Sequence, residues 1–251
     1  MQFEIKTEGK FKYLEQGEGD ILLLLHGLFG ALSNFSDVIN QFSKNYKVVV
    51  PLLPLFELPV RQTNIPNLVI HIDEFISYKA YEQVIPIGNS LGGHVGLMYA
   101  LQKPQKVKAM VLTGSSGLYE NSLGDTFPKR SNYEYIKNKT EYTFYDPAIA
   151  TKTLVDEVFR IVNDRNKVLR VIQLARSAIK NNLSDEIPSI HAPTLLIWGK
   201  EDKITPAFVA EEFHKLIPNT ELCFMERCGH APMMEHPIIF NQRLEAFLEQ
   251  L

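Results

Sequence analysis

Three side chains in this chain have the types and the order that acyl transfer needs: Ser90, Asp202 and His230. A serine hydroxyl is a poor nucleophile until a base takes its proton, and a histidine can be that base and later the acid for the leaving group. A carboxylate behind the histidine fixes its tautomer and stabilises its cation. Ser90 lies in Gly88-Asn89-Ser90-Leu91-Gly92, a G-x-S-x-G pentapeptide. Composition alone yields such a pattern in roughly one chain in ten of this length, so its meaning rests on its flanks. An apolar run at 84–87 reads as a buried strand and 93–101 as a helix, the strand–turn–helix setting of a nucleophile elbow. A serine at the apex of so sharp a turn holds a strained backbone, and Gly88 and Gly92, two residues away on either side, leave it room. The helix that starts there points the positive end of its dipole at the hydroxyl.

The elements that must position these groups follow from apolar runs and turn residues. Segments 3–7 and 11–15 alternate apolar and polar residues around Glu8-Gly9-Lys10, a hairpin pattern. Runs at 21–25, 46–50, 107–113, 194–198 and 220–225 read as further strands; the run at 21–25, apolar without alternation, suggests a strand covered on both faces of a parallel sheet. Helical spacing predicts helices over 33–44, with Ser33 as N-cap, and over 68–81, 206–216 and 238–251. The proline-broken stretch 51–59 reads as a loop. Strand and helix alternate, which calls for a mostly parallel sheet with right-handed crossovers. From 119 to 188 strand-like runs vanish and aromatics accumulate; Asp146-Pro147 signals a helix start, and two helical stripes follow, one around Val155 and Val158 and one around Ile172 and Ala175. This segment is expected to be a helical cap inserted into a core made of 1–118 and 189–251. Ser90, Asp202 and His230 then sit on loops at strand carboxyl ends, where open α/β sheets collect their catalysts.

Apolar content of 45% and charged content of 22% suit a globular protein with a substantial core. A net charge of −3 argues against nucleic acid or an anionic membrane as an obligatory partner. No apolar run approaches the roughly 18 residues of a spanning helix, and the first residues alternate without an apolar signal core. Cys223 and Cys228 are too few for a disulfide framework, so a cytoplasmic protein is expected. Cys228-x-His230 has no neighbouring ligands to complete a zinc site, and neither metal nor cofactor is expected.

An oxyanion also needs donors. Leu91 N–H, at the start of the elbow helix, is one; the His26-Gly27-Leu28 turn offers a second from Leu28, with Phe29 N–H the alternative.

Four motifs in register resemble the α/β-hydrolase superfamily: His26-Gly27-Leu28-Phe29-Gly30 its HG-x loop, Gly88 to Gly93 its elbow, Trp198-Gly199-Lys200-Glu201-Asp202 its acid loop, and Gly229-His230-Ala231-Pro232 its histidine loop. The order Ser…Asp…His is that of the superfamily. The resemblance implies an eight-stranded sheet with an antiparallel second strand, a helical cap after the sixth, and a Ser90–Asp202–His230 triad. Where many members carry a D-x-x-G-x-G turn, this chain has Leu52, Leu55 and Glu57, expected to shape an apolar wall of the site. Glu120, after the sixth strand, is the alternative acid to Asp202. His26 is expected to brace the oxyanion turn and His94, one helical turn past Ser90, to pack; His71, His191, His214 and His236 carry no assigned role. Basic and acidic side chains nearly balance across 119–187, so Arg160, Arg165, Arg170 and Arg176 create no strong field.

The expected activity is hydrolysis of a small, moderately apolar ester or thioester through an acyl–Ser90 intermediate, with Phe29 contacting substrate; the oligomeric state is left open. Two alternatives stand beside it. One keeps the triad and cleaves the C–C bond of a vinylogous diketo acid, whose group has a similar Gly-Asn-Ser elbow but a tryptophan where Ala231 stands. The other is a ligand-sensing or partner-binding module of the same fold with little turnover.

Overall fold

A computed structural model describes residues 4–30, 32–120 and 129–251. Eight strands form one sheet: β1 (Lys6–Glu8), β2 (Phe11–Gln16), β3 (Ile21–Leu25), β4 (Lys47–Pro51), β5 (Ile85–Asn89), β6 (Met110–Thr113), β7 (Thr194–Gly199) and β8 (Thr220–Met225). Their spatial order is β1-β2-β4-β3-β5-β6-β7-β8. β2 pairs antiparallel with both β1 and β4, and every pairing from β4 through β8 is parallel. The helices are α1 (Ser36–Phe42), α2 (Ile65–Tyr78), α3 (Leu91–Gln102), α4 (Tyr133–Glu141), α5 (Lys152–Asn163), α6 (Arg165–Lys180), α7 (Ala207–Leu216), α8 (Pro232–Glu235) and α9 (Pro237–Leu248).

The unbroken apolar runs are explained by the layers. Along β3, Leu23 and Leu25 pack towards α2, α3 and α7, while Leu22 and Leu24 pack towards α1 and α9; all four are fully buried. β4 splits the same way, with Val49 on one layer and Val48 and Val50 on the other. A strand covered on both faces gains nothing from a polar residue at alternate positions. Each such leucine removed from water contributes about 1.5–3 kcal/mol. α3 is buried nearly all round, from Leu91 through Leu97, because it lies between the sheet, α2 and the segment that follows β6.

Among the described residues, those between β6 and β7 form helices and no strand. α5 and α6 match the two expected stripes. α4 is an addition: only Ile136 and Thr140 of its nine residues are buried, so no apolar stripe marks it. Asp146-Pro147 starts a single 3₁₀ turn, Pro147–Ile149, with Asp146 accepting from Ala148 N–H. The segment is tied down at its far end, where Ile65 N–H donates to Ser177 Oγ at 3.0 Å and Arg170 Nε to the Leu58 carbonyl at 2.8 Å.

Other boundaries also differ from expectation. Phe3, in the first expected strand, lies outside the described residues, and the strand itself runs Lys6–Glu8. Ser33 is not the N-cap of α1: a 3₁₀ turn, Leu32–Phe35, carries the chain into a helix that opens at Ser36. α2 begins at Ile65, three residues before its expected start, because Asn64 caps it by accepting from Asn67 N–H and Pro66 presets the first turn.

Candidate active site

The turn after β5 holds Ser90 at φ 53° and ψ −120°, a left-handed conformation that a residue with a Cβ adopts only when its surroundings impose it. Four backbone bonds impose it here. Ser90 N–H donates to Thr113 C=O at 3.2 Å, and Ser90 C=O accepts from Gly93, His94 and Ser116 N–H at 3.0, 3.3 and 3.1 Å. The two elbow glycines are needed for contact as well as for backbone freedom. A Cβ on Gly92 would collide with the Leu25 carbonyl oxygen, and one on Gly88 with Gly93. The turn can therefore close against β3 only with bare backbone at Gly92, and against its own helix only with bare backbone at Gly88.

Asp202 follows β7 and is buried. Its Oδ1 accepts from Ile204 N–H at 2.8 Å and Thr205 N–H at 3.0 Å, and its Oδ2 from Thr205 Oγ1 at 2.9 Å. Trp198 Nε1 donates to Thr205 C=O at 2.7 Å and fixes that turn against β7. The capping pattern is local, yet it aims the same carboxylate at His230, whose Nδ1 lies 2.9 Å from Oδ2. A carboxylate only accepts, so Nδ1 carries the proton and Nε2 is left as the basic nitrogen.

His230, Ser90, Leu28, Phe29 and Leu91 all line one cavity of about 400 Å³. That is within the usual range for a small-molecule site. Asp202 stands behind His230, outside the lining. No hydrogen bond joins Ser90 to His230; such contacts between catalytic pairs are often long until substrate closes them.

The turn after β3 is set by His26. Leu53 N–H donates to His26 Nε2 at 3.2 Å, so Nδ1 carries the hydrogen and donates to Gly27 C=O at 2.8 Å. Burial holds the ring neutral by lowering its pKa. Gly30 N–H donates to the same Gly27 carbonyl at 3.0 Å. In a trans peptide N–H and C=O point opposite ways, so pinning that carbonyl aims Leu28 N–H away from His26. Gly27 itself lies against Ser90: a Cβ there would sit 3.3 Å from the Ser90 Cβ. Leu91 is the first residue of α3, where N–H groups have no intrahelical acceptor.

Sequence reasoning missed several residues. Asn89 Nδ2 donates to Thr113 C=O at 3.0 Å and to His230 C=O at 3.1 Å, stitching the nucleophile turn to β6 and to the histidine loop. Thr143, from the helical segment, accepts from His230 N–H at 3.0 Å. Glu235 clamps the same loop by accepting from Gly229 N–H at 2.8 Å and Tyr145 N–H at 2.7 Å. Only Thr205 had a signal, as the third residue after an Asx-type acceptor.

Residues 51–59 do not wall the cavity. Leu53 and Leu55 are buried in the main core beside α2, because the Leu53 N–H bond to His26 draws that loop down onto the sheet. The apolar wall comes from α5 and α6 instead, through Leu154, Val158 and Leu174. His94 packs as expected, fully buried with Nε2 2.8 Å from Asn181 C=O, and burial lowers its pKa to about 4. Glu120 does not pair with His230. It lines the cavity, accepts from Gly117 N–H at 2.8 Å, and has its carboxyl pKa pushed up to about 7 by burial.

The alpha/beta hydrolase family model matches residues 22–243. The chain belongs to the α/β-hydrolase family. A solved α/β-hydrolase enzyme, MGS-MChE2, from a metagenome of sediments of the Mar Chica lagoon in Morocco, is 41% identical; the match covers 98% of each chain, with a TM-score of 0.82. Lipase 1 of Psychrobacter immobilis is 28% identical over 90% of this chain and 76% of its own. A 2-hydroxy-6-oxo-6-(2'-aminophenyl)hexa-2,4-dienoic acid hydrolase of Metapseudomonas resinovorans is 27% identical over 95% of this chain and 87% of its own. As an α/β-hydrolase the protein is an enzyme of hydrolysis, with the eight-stranded, mostly parallel sheet of the family. No helix among the described residues is long and apolar enough to cross a membrane.

Proposed function

We propose that this α/β-hydrolase is a serine hydrolase of small, moderately apolar esters or thioesters, with Ser90, His230 and Asp202 as its triad. The observation that carries the reading is the 2.9 Å pair between His230 Nδ1 and Asp202 Oδ2, which leaves Nε2 as the base for a cavity that Ser90 also lines. Ser90 Oγ attacks the acyl carbonyl as its proton passes to Nε2. The oxyanion is held by Leu28 and Leu91 N–H, each such donor worth about 3 kcal/mol in the barrier. His230 then protonates the leaving alcohol or thiol. Water, deprotonated by the same nitrogen, cleaves acyl–Ser90 and releases the carboxylic acid. Phe29 and the walls from α5 and α6, the cap of the site, hold the acyl chain.

A second reading, C–C hydrolysis of a diketo acid, draws on the activity named for the Metapseudomonas relative. Such a substrate carries a carboxylate, and the buried Glu120 carboxyl in the cavity favours the ester reading. The test is a kcat/KM series over p-nitrophenyl esters of increasing chain length, run beside a ring-fission product. The expected result is a chain-length optimum among the esters that Ser90→Ala abolishes. Turnover of the ring-fission product alone would transfer the triad to the second reading, and no turnover of either would leave a binding module.

A further inference from the structure

Glu120 is a buried acid without a cation. Its side chain is 9% exposed, it lines the cavity, and it accepts from Gly117 N–H at 2.8 Å. Among the described residues no lysine or arginine lies within salt-bridge distance of it, and residues 121–128 contain no lysine, arginine or histidine. Among the described residues the basic side chain within ion-pair distance is His94, with Nδ1 3.9 Å from Glu120 Oε1. That ring brings no positive charge. Burial holds it neutral, with a pKa of about 4, and since Nε2 donates to Asn181 C=O the lone pair falls on Nδ1, which is buried with no hydrogen-bond partner among the described residues. Burying a carboxyl against a neutral ring is costly when a glutamine or leucine of similar size is not. The arrangement makes sense if the missing positive charge arrives with the substrate.

We propose that Glu120 is a specificity-determining residue of the Ser90 site, and that it favours acyl substrates bearing an alkylammonium group over uncharged ones of the same shape. The inference rests on the serine-hydrolase reading. A cation reaching the cavity ionises the carboxyl and pairs with it in a setting of low dielectric, where the attraction is worth more than at the surface. Among the described residues, Tyr119, Lys139, Tyr142, Lys203 and His230 are the other ionisable side chains facing the cavity. Both lysines are exposed, so solvent and salt screen their repulsion of a cation more than they screen Glu120.

Two matched pairs of esters test this. Butyrylcholine is compared with its carbon isostere, in which tert-butyl replaces trimethylammonium. An ethyl ester with a trimethylammonium-tipped acyl chain is compared with its tert-butyl-tipped counterpart. The two pairs place the charge on either side of the scissile bond. In at least one pair, Glu120→Gln should lower the cationic-to-neutral ratio of kcat/KM by about tenfold. In the wild type that ratio should rise by about tenfold from pH 6 to pH 8 as the carboxyl ionises, and the variant should show no such rise. Any contribution of His230 is common to both members of a pair and cancels in the ratio. The wild-type pH arm needs no variant and stands even if Glu120→Gln fails to fold. Ratios that change with neither pH nor the substitution overturn the proposal while leaving ester hydrolysis intact. A protein in which Ser90 takes no fluorophosphonate loses the serine-hydrolase reading, and this proposal with it.

Discussion

The sheet and the helical segment between β6 and β7 both contribute to the cavity, but they are built to different standards. The sheet buries Leu22 through Leu25 and Val48 through Val50 on two continuous layers, and it holds Ser90, Asp202 and His230 at the ends of β5, β7 and β8. The segment's own cluster is small: Ile136, Val158 and Val162 are its buried members, while Phe144, Leu174 and Ala178 join the core layers and Leu169 and Ile179 are exposed. On the proposed mechanism, the groups that must meet within tenths of an ångström sit on the region with the larger core, and those that enclose the substrate sit on the region with the smaller one. Chemistry and selectivity should therefore respond to different substitutions.

The largest expected effect breaks the chemistry and spares the wall. Asp202→Asn keeps the Ile204 and Thr205 turn but withdraws the charge behind His230, and kcat should fall by about 10³–10⁴-fold with KM little changed. Steady-state kinetics on the preferred ester checks it. The elbow offers the next contrast. Gly92→Ala drives a methyl into the Leu25 carbonyl and should cost about 3 kcal/mol or more in thermal or denaturant unfolding. Gly96→Ala, on the same helix, meets Pro86 Cβ at an ordinary 3.5 Å and should stabilise by about 0.5–1 kcal/mol.

A pair of truncations sharpens the comparison of the two regions. Leu24→Ala, in the sheet, should lower global stability by about 2–5 kcal/mol. Val162→Ala, in α5, should cost about 1–2 kcal/mol and change the ester profile more than the melting temperature. Equal losses of stability would mean that the segment is as integral to the core as β3.

The smallest effect concerns the seam between the regions, where His94 and Glu120 face each other. His94 has a folded pKa of about 4, below its unfolded value, so its contribution to stability is lost as pH falls from about 6.5 towards 4. Glu120, at about 7, lies above its unfolded value, so stability is lost as pH rises from about 4.5 to 7. The two slopes oppose each other between pH 5 and 6.5. Glu120→Gln removes one of them, and its melting temperature should fall on acidification through that window more steeply than the wild type's.

What the sequence made legible divides along the same line. β3 and the elbow could be read because a doubly covered strand is apolar throughout and the turn after β5 tolerates only glycine at two sites. The α/β-hydrolase resemblance added the acid and histidine loops, and in the structure Asp202 Oδ2 lies 2.9 Å from His230 Nδ1, while Glu120 lies beside His94. α4 could not be read because two buried residues in nine leave no periodic stripe. The inward course of the loop 51–59 escapes the sequence for a different reason: it is tied by contacts from distant parts of the chain, Leu52 N–H to Lys12 C=O, Leu53 N–H to His26 Nε2 and Arg170 Nε to Leu58 C=O, that no local pattern announces. The Asn89 bridge to His230 C=O spans 141 positions in the chain and is equally silent.

The central claim, that Ser90 is a nucleophile activated by His230 across the cavity, is tested most directly by intact mass spectrometry after treatment with a fluorophosphonate. The account predicts a single adduct on the wild type, mapped to Ser90, with none on Ser90→Ala and labelling at least about 10³-fold slower on His230→Ala. A wild-type protein that takes no adduct, or takes it at another residue, would contradict it.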